Sequence, residues 1–272
     1  MRSAAALAML AVLTGCQQRA PLPERRGVVS IDFCADQMVL GLLPRERVRA
    51  VSFEAESDAS FAAPRARGLP RLRPQIEDIA ALRPAIVVRS FRGDARLDRQ
   101  LRSMGIRVVQ LGYAGTLGDV AGDMRRVAAE LDAETKATAL LAGYDAELAA
   151  ARGTAAPAQS ALYVTPGDVT TGPGSFVADV IAAAGLKPYR EQPGWGTLPL
   201  EEMVRRPPDV VFRAFYDSAR YRQDRWSSSL HPVVAQASRR AKEVEVPGSW
   251  LACGNWLAGH AVARLSEARK EG

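Results

Sequence analysis

Residues 76–88 read Ile76-Glu77-Asp78-Ile79-Ala80-Ala81-Leu82-Arg83-Pro84-Ala85-Ile86-Val87-Val88, and residues 200–212 read Leu200-Glu201-Glu202-Met203-Val204-Arg205-Arg206-Pro207-Pro208-Asp209-Val210-Val211-Phe212. Each opens apolar, Glu, acidic, apolar, then passes a basic residue and a proline into an apolar run. Apolar spacing predicts a short helix in each, and the proline stops it. The apolar run that follows predicts a buried strand. In both stretches the glutamate stands seven residues before the proline that opens the strand. Helix–proline–strand units arise by chance in many chains, but the matched glutamate favours a lobe that occurs twice.

The flanking sequence extends the pattern on both sides. Gly27–Phe33 predicts a strand, and Ala35–Leu43 a helix with Met38, Val39, Leu42 and Leu43 at helical spacing. Arg47–Phe53 predicts a strand, Asp94–Met104 a helix ended by Gly105, and Arg107–Leu111 a further strand. From Thr116 to about Arg152 there is no proline and no strand signal, which predicts one long helix, with Asp132-Ala133-Glu134 as a candidate break. Gly153–Gln159 reads as a loop. The alternation then restarts with a strand at Ala161–Val164 and a helix at Phe176–Ala184, N-capped by Ser175. After the second matched unit come a helix at Leu230–Ala241, a strand at Val244–Val246 and a closing helix at Trp256–Ala268. Strands alternating with helices predict an α/β fold with a parallel or mixed sheet covered by helices.

The chain has 272 residues, 47% hydrophobic and 24% charged, with a mean hydropathy of −0.10. That balance excludes a multi-span membrane protein and a disordered chain. The formal charge of +6 comes from scattered Lys and Arg with no basic tract, so nucleic-acid binding is not indicated. At the N-terminus, Arg2 precedes the small and apolar run Ser3–Leu13, too short to span a bilayer and suited to a signal-peptide core. The run ends Leu13-Thr14-Gly15-Cys16, which looks like a bacterial lipobox; an ordinary secretory signal with a chance cysteine is the alternative. The expectation is a leader over 1–15, lipid on Cys16, and a polar tether over 16–26. Such export permits a disulfide between Cys34 and Cys253. Those two residues can equally sit as inert thiols, with metal binding as thiolates the last of the three readings.

Two α/β halves, a long helix between them and a lipobox in front resemble the class III substrate-binding proteins of ABC importers, the Fe/B12 periplasmic-binding family that takes up cobalamin and iron–siderophore complexes. The resemblance is carried by Val28-Val29-Ser30-Ile31-Asp32-Phe33-Cys34-Ala35-Asp36-Gln37, by Ile79–Val87 with its leucine–arginine–proline before a strand, and by Trp250-Leu251-Ala252-Cys253-Gly254. It covers roughly residues 26–270. It implies two Rossmann-like lobes, 27–115 and 153–272, joined by one long rigid helix over 116–152, with the ligand cleft between them. It further implies a monomeric periplasmic receptor, lipid-anchored to a membrane, that hands a metal-chelate ligand to an ABC permease and its ATPase. One glutamate per lobe meets the permease in this family, and spacing maps these to Glu77 and Glu201, with Asp78 and Glu202 as neighbours. A solvated carboxylate in the first turn of a helix explains either residue equally well.

Loops at strand ends line the cleft of such folds. The candidate ligand-binding residues are therefore Phe33, Cys34, Asp36, Phe53, Phe91, Arg92 and Tyr113 in the first lobe, and Ser175, Trp195, Tyr216, Trp250 and Cys253 in the second. Aromatic faces suit a corrin, a porphyrin or an aryl siderophore. Phe33 and Phe53 serve as core plugs on an equal reading. Arg92 suits an anionic ligand group but is also an ordinary surface arginine in an Arg-rich chain. Gly172-Pro173-Gly174-Ser175 leads to a helix N-terminus that can hold an anion, as many plain turns do. Trp195, between Gly194 and Gly196, predicts a mobile loop whose ring meets ligand. The expected cargo is cobalamin or another corrinoid, a ferric siderophore, or haem, with no resident cofactor or metal.

No nucleophile elbow, Walker loop, dinucleotide fingerprint or Cys-x-x-Cys pair occurs in the sequence, so no enzyme is expected. The rivals are a zinc or manganese receptor of related fold and a cell-envelope α/β hydrolase. Only His231 and His260 are present, against the several histidines a bare-ion site uses.

Overall fold

The computed structural model describes residues 26–91, 93–152, 159–217 and 227–270, so Cys16 and Arg92 lie outside the described residues. The first half builds β1 (Val28–Ser30), α1 (Phe33–Leu42), β2 (Val48–Ser52), α2 (Ala63–Ala66), β3 (Arg71–Leu72), α3 (Ile76–Leu82), β4 (Ile86–Arg89), α4 (Ala95–Ser103) and β5 (Arg107–Gln110). Its strands form one sheet in the order β3-β2-β1-β4-β5, with every pairing parallel. β1 and β4 are buried along their whole length, as a sheet covered on both faces requires.

Next come α5 (Leu117–Glu130) and α6 (Glu134–Ala151). The second half comprises β6 (Ser160–Val164), β7 (Val169–Thr171), α7 (Phe176–Ala183), β8 (Lys187–Pro188), β9 (Trp195–Thr197), α8 (Leu200–Arg205), β10 (Val210–Ala214), α9 (Pro232–Arg240), β11 (Lys242–Val246) and α10 (Ala258–Lys270). Four of these strands make a parallel sheet in the order β11-β10-β6-β8, while β7 and β9 pair antiparallel beside it. The two matched sequence units take equivalent places. α3–β4 sets β4 beside β1, and α8–β10 sets β10 beside β6. Ile79 and Met203, each two residues after its matched glutamate, Glu77 or Glu201, are the buried anchors of their helices.

The segment expected as one helix is two, divided at the candidate break Asp132-Ala133-Glu134. α5 starts on a capping box between Thr116 and Asp119 and ends at Leu131. Asp132 then takes a left-handed φ of 49°, a conformation a short polar side chain tolerates, and the chain restarts as α6. Leu131 and Ala133 on either side of the break are buried. One apolar core runs from Val28 and Val39 through Met124 and Val127 of α5 and Tyr144 of α6 to Val180 of α7 and Leu265 of α10. The Tyr144 hydroxyl donates to the Leu117 carbonyl at 2.8 Å, which pins α6 to the start of α5. Lobes that share a core cannot swing as bodies on a loose linker.

A second connection was not legible in the sequence. Residues 251–257, which the sequence places with the second lobe, pack on the first. Trp256 lies over Gly41 of α1, where any Cβ would overlap its ring, and meets Phe61 edge-on at 5.5 Å. Gly254, at φ 53°, sits against Ala114. Cys34 and Cys253 form a disulfide across 219 residues of chain, which resolves the three readings of that pair. In the loop-entropy account a ring of this size lowers the entropy of the unfolded chain by an amount worth about 5 kcal/mol.

Candidate functional site

The C-terminal ends of the strands in both sheets face one cleft. Its first wall comes from Ser90 and Phe91 after β4 and from Leu111–Ala114 after β5. Its second wall comes from Tyr163 of β6, Phe176 at the start of α7, Trp195 of β9 and Phe215 after β10. Met38, the Cys34–Cys253 bridge and residues 251–254 form the floor.

Side chains hold the first wall. Asp32 caps α1 by accepting the Ala35 amide at 3.0 Å, and its other oxygen accepts the Ser90 amide at 2.7 Å. Gln110 donates to the Phe91 carbonyl at 3.2 Å, and Asp123 accepts the Gly112 amide at 2.8 Å. Behind them Arg89, buried and ion-paired with Asp98, donates to the Ser90 carbonyl at 3.0 Å. Phe91 and Tyr113 meet edge to face at 5.0 Å between ring centroids. Tyr113 is 62% exposed, so its phenol opens to the cleft mouth.

Backbone pairing holds the second wall. Thr171 pairs with Trp195 in the antiparallel ladder of β7 and β9. Trp195 is therefore a strand residue, not the tip of a mobile loop as its flanking glycines suggest; it is 53% exposed, with its ring 6.2 Å from Tyr163. Phe215 reaches the cleft from a left-handed φ of 70°, and its ring covers Gly248, where a Cβ would overlap it. A phenylalanine held there carries about 1–3 kcal/mol of backbone strain, a feature that gathers at ligand sites.

Five of the residues singled out in the sequence thus line the cleft: Cys34, Phe91, Tyr113, Trp195 and Cys253. Asp36 lies fully buried beneath it. Its carboxylate accepts the hydroxyls of Ser30 and Ser52 and the Ser52 amide at 2.9 Å, tying α1 to β1 and β2. Burial pushes its pKa up to about 6, against the lowering effect of those hydrogen bonds. Ser175 is buried as the N-cap of α7, accepting the Ala178 amide at 3.1 Å. Phe33 is half-buried at the start of α1, and Phe53, 54% exposed, faces solvent beside β2. Tyr216 turns from the cleft to lie under the Arg213 guanidinium, 3.9 Å from its ring centroid. Trp250 packs on His260 at 5.2 Å, and His260 in turn contacts Glu147. Glu77 and Glu201 are exposed in the first turns of α3 and α8.

Met38, Tyr163 and Phe176 line the cleft but were not singled out, and Phe215 and Leu251, which belong to strand-end loops expected at the cleft, were not among the candidate ligand residues. Phe215 and Leu251 each adjoin a residue that was, so register alone separates them. Among the described lining residues none is Lys, Arg or His. Among the described residues no three His, Cys, Asp or Glu side chains are grouped to hold a bare ion.

A family model described as periplasmic binding protein matches residues 52–225. Solved structures share the fold across nearly the whole chain. The periplasmic heme-binding protein BhuT in complex with two hemes is 20% identical with a TM-score of 0.70, the match covering 90% of this chain and 99% of that one. The periplasmic heme-binding protein RhuT from Roseiflexus sp. RS-1, in apo form, is 20% identical with a TM-score of 0.68, covering 91% and 98%. The periplasmic heme-binding protein HutB of Vibrio cholerae is 18% identical with a TM-score of 0.70, covering 89% and 98%. No curated protein matches the sequence.

Proposed function

We propose that this chain, which belongs to the periplasmic binding protein family, captures haem in its cleft and delivers it to the permease of an ABC importer. The family is one of binding proteins, not enzymes, and the chain is read accordingly. One observation carries the choice of ligand: aromatic side chains stand on both sides of the cleft, and no described lining residue is cationic. A flat metal macrocycle needs broad apolar faces on its two sides. A ferric catecholate carries several negative charges and calls for Arg or Lys forks in the wall. Tyr113 adds an oxygen donor at the mouth, and ferric haem accepts a tyrosine as axial ligand. That solved structures of the same fold are named heme-binding supports this reading.

Delivery rests on Glu77 and Glu201. α3 and α8 each lead back to the start of the next parallel strand, so their first turns lie toward the cleft end of the sheets. Glu202 is paired with Arg206 at 2.6 Å, which leaves Glu201 as the outward carboxylate for a basic partner. Export by the 1–15 leader, with lipid on Cys16, would keep this monomer tethered at a membrane facing the periplasm.

The test is a titration of the chain lacking residues 1–16 with haemin, cyanocobalamin and a ferric catecholate siderophore, read by tryptophan quenching and by the haem absorption band. Haemin is expected to quench saturably with a Kd at or below about 1 µM, a binding free energy near −8 kcal/mol. Tyr113→Phe should alter the absorption of the bound haem. Binding of cyanocobalamin alone would reassign the cleft to corrinoids. Binding of none of the three would remove the metal-chelate reading.

A further inference from the structure

The floor of the cleft is a covalent bond between its two sides. Cys34 belongs to the first turn of α1, and Cys253 to the segment that returns from the second lobe. Attachment of that segment does not depend on the bond. On one side Trp256 is seated over Gly41 and against Phe61, and α10 continues from there into the shared core. On the other side the turn at 248–250 belongs to the second lobe: the Gly248 amide donates to Asp217 at 3.0 Å, and the amides of Leu251 and Ala252 each donate to the Gly248 carbonyl at 3.0 Å. Between these anchors lies the short stretch Leu251–Gly254, all of it facing the cleft. Cys253 fastens its middle to α1, and the buried Gln37 donates to the Cys253 sulfur at 3.3 Å.

We propose that the Cys34–Cys253 bridge sets the ligand affinity of the cleft. Oxidised, it holds the floor in register with both aromatic walls and offers the macrocycle a preformed slot, which lowers the ordering cost of binding. Reduced, the floor loosens and the ligand leaves faster. The inference rests on the reading of the cleft as a macrocycle site. An exported protein keeps such a bridge oxidised. Both cysteines line the cleft and are partly exposed, so a dithiol reductant can reach the bridge. Its first thiolate attacks one sulfur, forming a mixed disulfide and releasing one cysteine thiolate. Its second thiolate attacks the reductant sulfur of that mixed disulfide, releasing the other cysteine. The reductant leaves as a disulfide, and two electrons and two protons pass to the pair. Linkage is reciprocal: if reduction weakens the ligand by some factor, bound ligand makes the bridge harder to reduce by that same factor.

The experiment uses gallium protoporphyrin IX, which has the shape and charge of haemin and is not reduced by thiols. Its affinity and off-rate are measured on the oxidised mature protein, on the same protein in excess dithiothreitol, and on Cys34→Ser/Cys253→Ser, at a temperature where circular dichroism shows each folded. Reduced and double-variant proteins should bind at least tenfold more weakly, with the change in the off-rate. The bridge's reduction midpoint should fall by about 30 mV per tenfold when the porphyrin is bound. A bridge that merely stabilises the fold would lower the melting temperature and leave both ligand readouts unmoved; equal affinities and an unshifted midpoint therefore overturn the proposal. Should the double variant fail to fold, the dithiothreitol comparison decides alone. If the oxidised protein binds neither haemin nor the gallium compound, the reading of the cleft falls, and this inference with it.

Discussion

The two walls of the cleft present the same kind of side chain and hold it by different means. Phe91 and Tyr113 ride on loops latched by the side chains of Asp32, Gln110 and Asp123. Trp195 stands in a backbone ladder, and Gly194 beside it exchanges backbone bonds with Pro173 and Gly172 at 2.8 and 3.0 Å. Carboxylates bind protons and backbone amides do not. The lobe beneath the first wall also holds the buried carboxyl of Asp36, and each wall should fail under a different perturbation.

The largest effect is expected from raising the pH on the first lobe. Asp36 is the carboxyl whose burial raises it, from 3.8 to about 6. A folded-state pKa above the unfolded value means that the folded state binds the proton more tightly. This contribution to stability is complete below pH 3.8 and is lost as pH rises through 6. The two-unit shift is worth about 3 kcal/mol. Asp36→Asn keeps the shape and removes the titration. Its stability relative to the parent, from urea melts at pH 4 and pH 7, should improve by about that amount at the higher pH. A stability difference that stays constant with pH would show that the buried carboxyl does not titrate in this range.

The second prediction sets the walls against each other. Trp195 is half exposed and supports little core, so Trp195→Ala should leave the melting temperature unchanged. It should weaken haemin about ten- to hundredfold, the usual cost of truncating a tryptophan anchor. Phe91→Ala should weaken it only about threefold, because Tyr113 stands against the same ring and can cover the gap. Equal losses in fluorescence titrations would mean that both walls grip alike and that the ladder confers nothing.

What the sequence revealed of this arrangement follows from the range of the signals. The parallel sheets were legible because helix stops at Pro84 and Pro207 and the apolar runs after them are local. The hairpin of β7 and β9 was not, because Thr171 and Trp195 meet from 24 residues apart and Gly-Trp-Gly by itself reads as a loop. Tyr216 was chosen where Phe215 lines the site, and nothing in a phenylalanine announces a positive φ. Leu251 and Trp250 differ in the same way, by one position along a turn. Both cysteines of the floor were visible, but their partnership depends on the fold that returns residue 253 to residue 34.

The smallest effect sharpens the contrast most directly, because it loosens the second wall without removing an aromatic ring. The Arg190 guanidinium donates to the carbonyls of Gln192, Pro193 and Gly194, the last two at 3.2 and 3.1 Å, and lies against Gly196. It clasps the turn that leads into Trp195 and sits away from the described cleft lining. Arg190→Gln returns those carbonyls to water at a net cost of about 1 kcal/mol per bond or less, since the turn is open to solvent. The ladder itself survives. Haemin should then bind roughly three- to fivefold more weakly, with Trp195 emission shifted to the red in the free protein. If affinity and emission both stay as in the parent, the ladder alone orients the indole and the clasp is dispensable. If affinity falls as far as in Trp195→Ala, the wall is held by one side chain after all, and the two lobes hold their aromatics in the same manner.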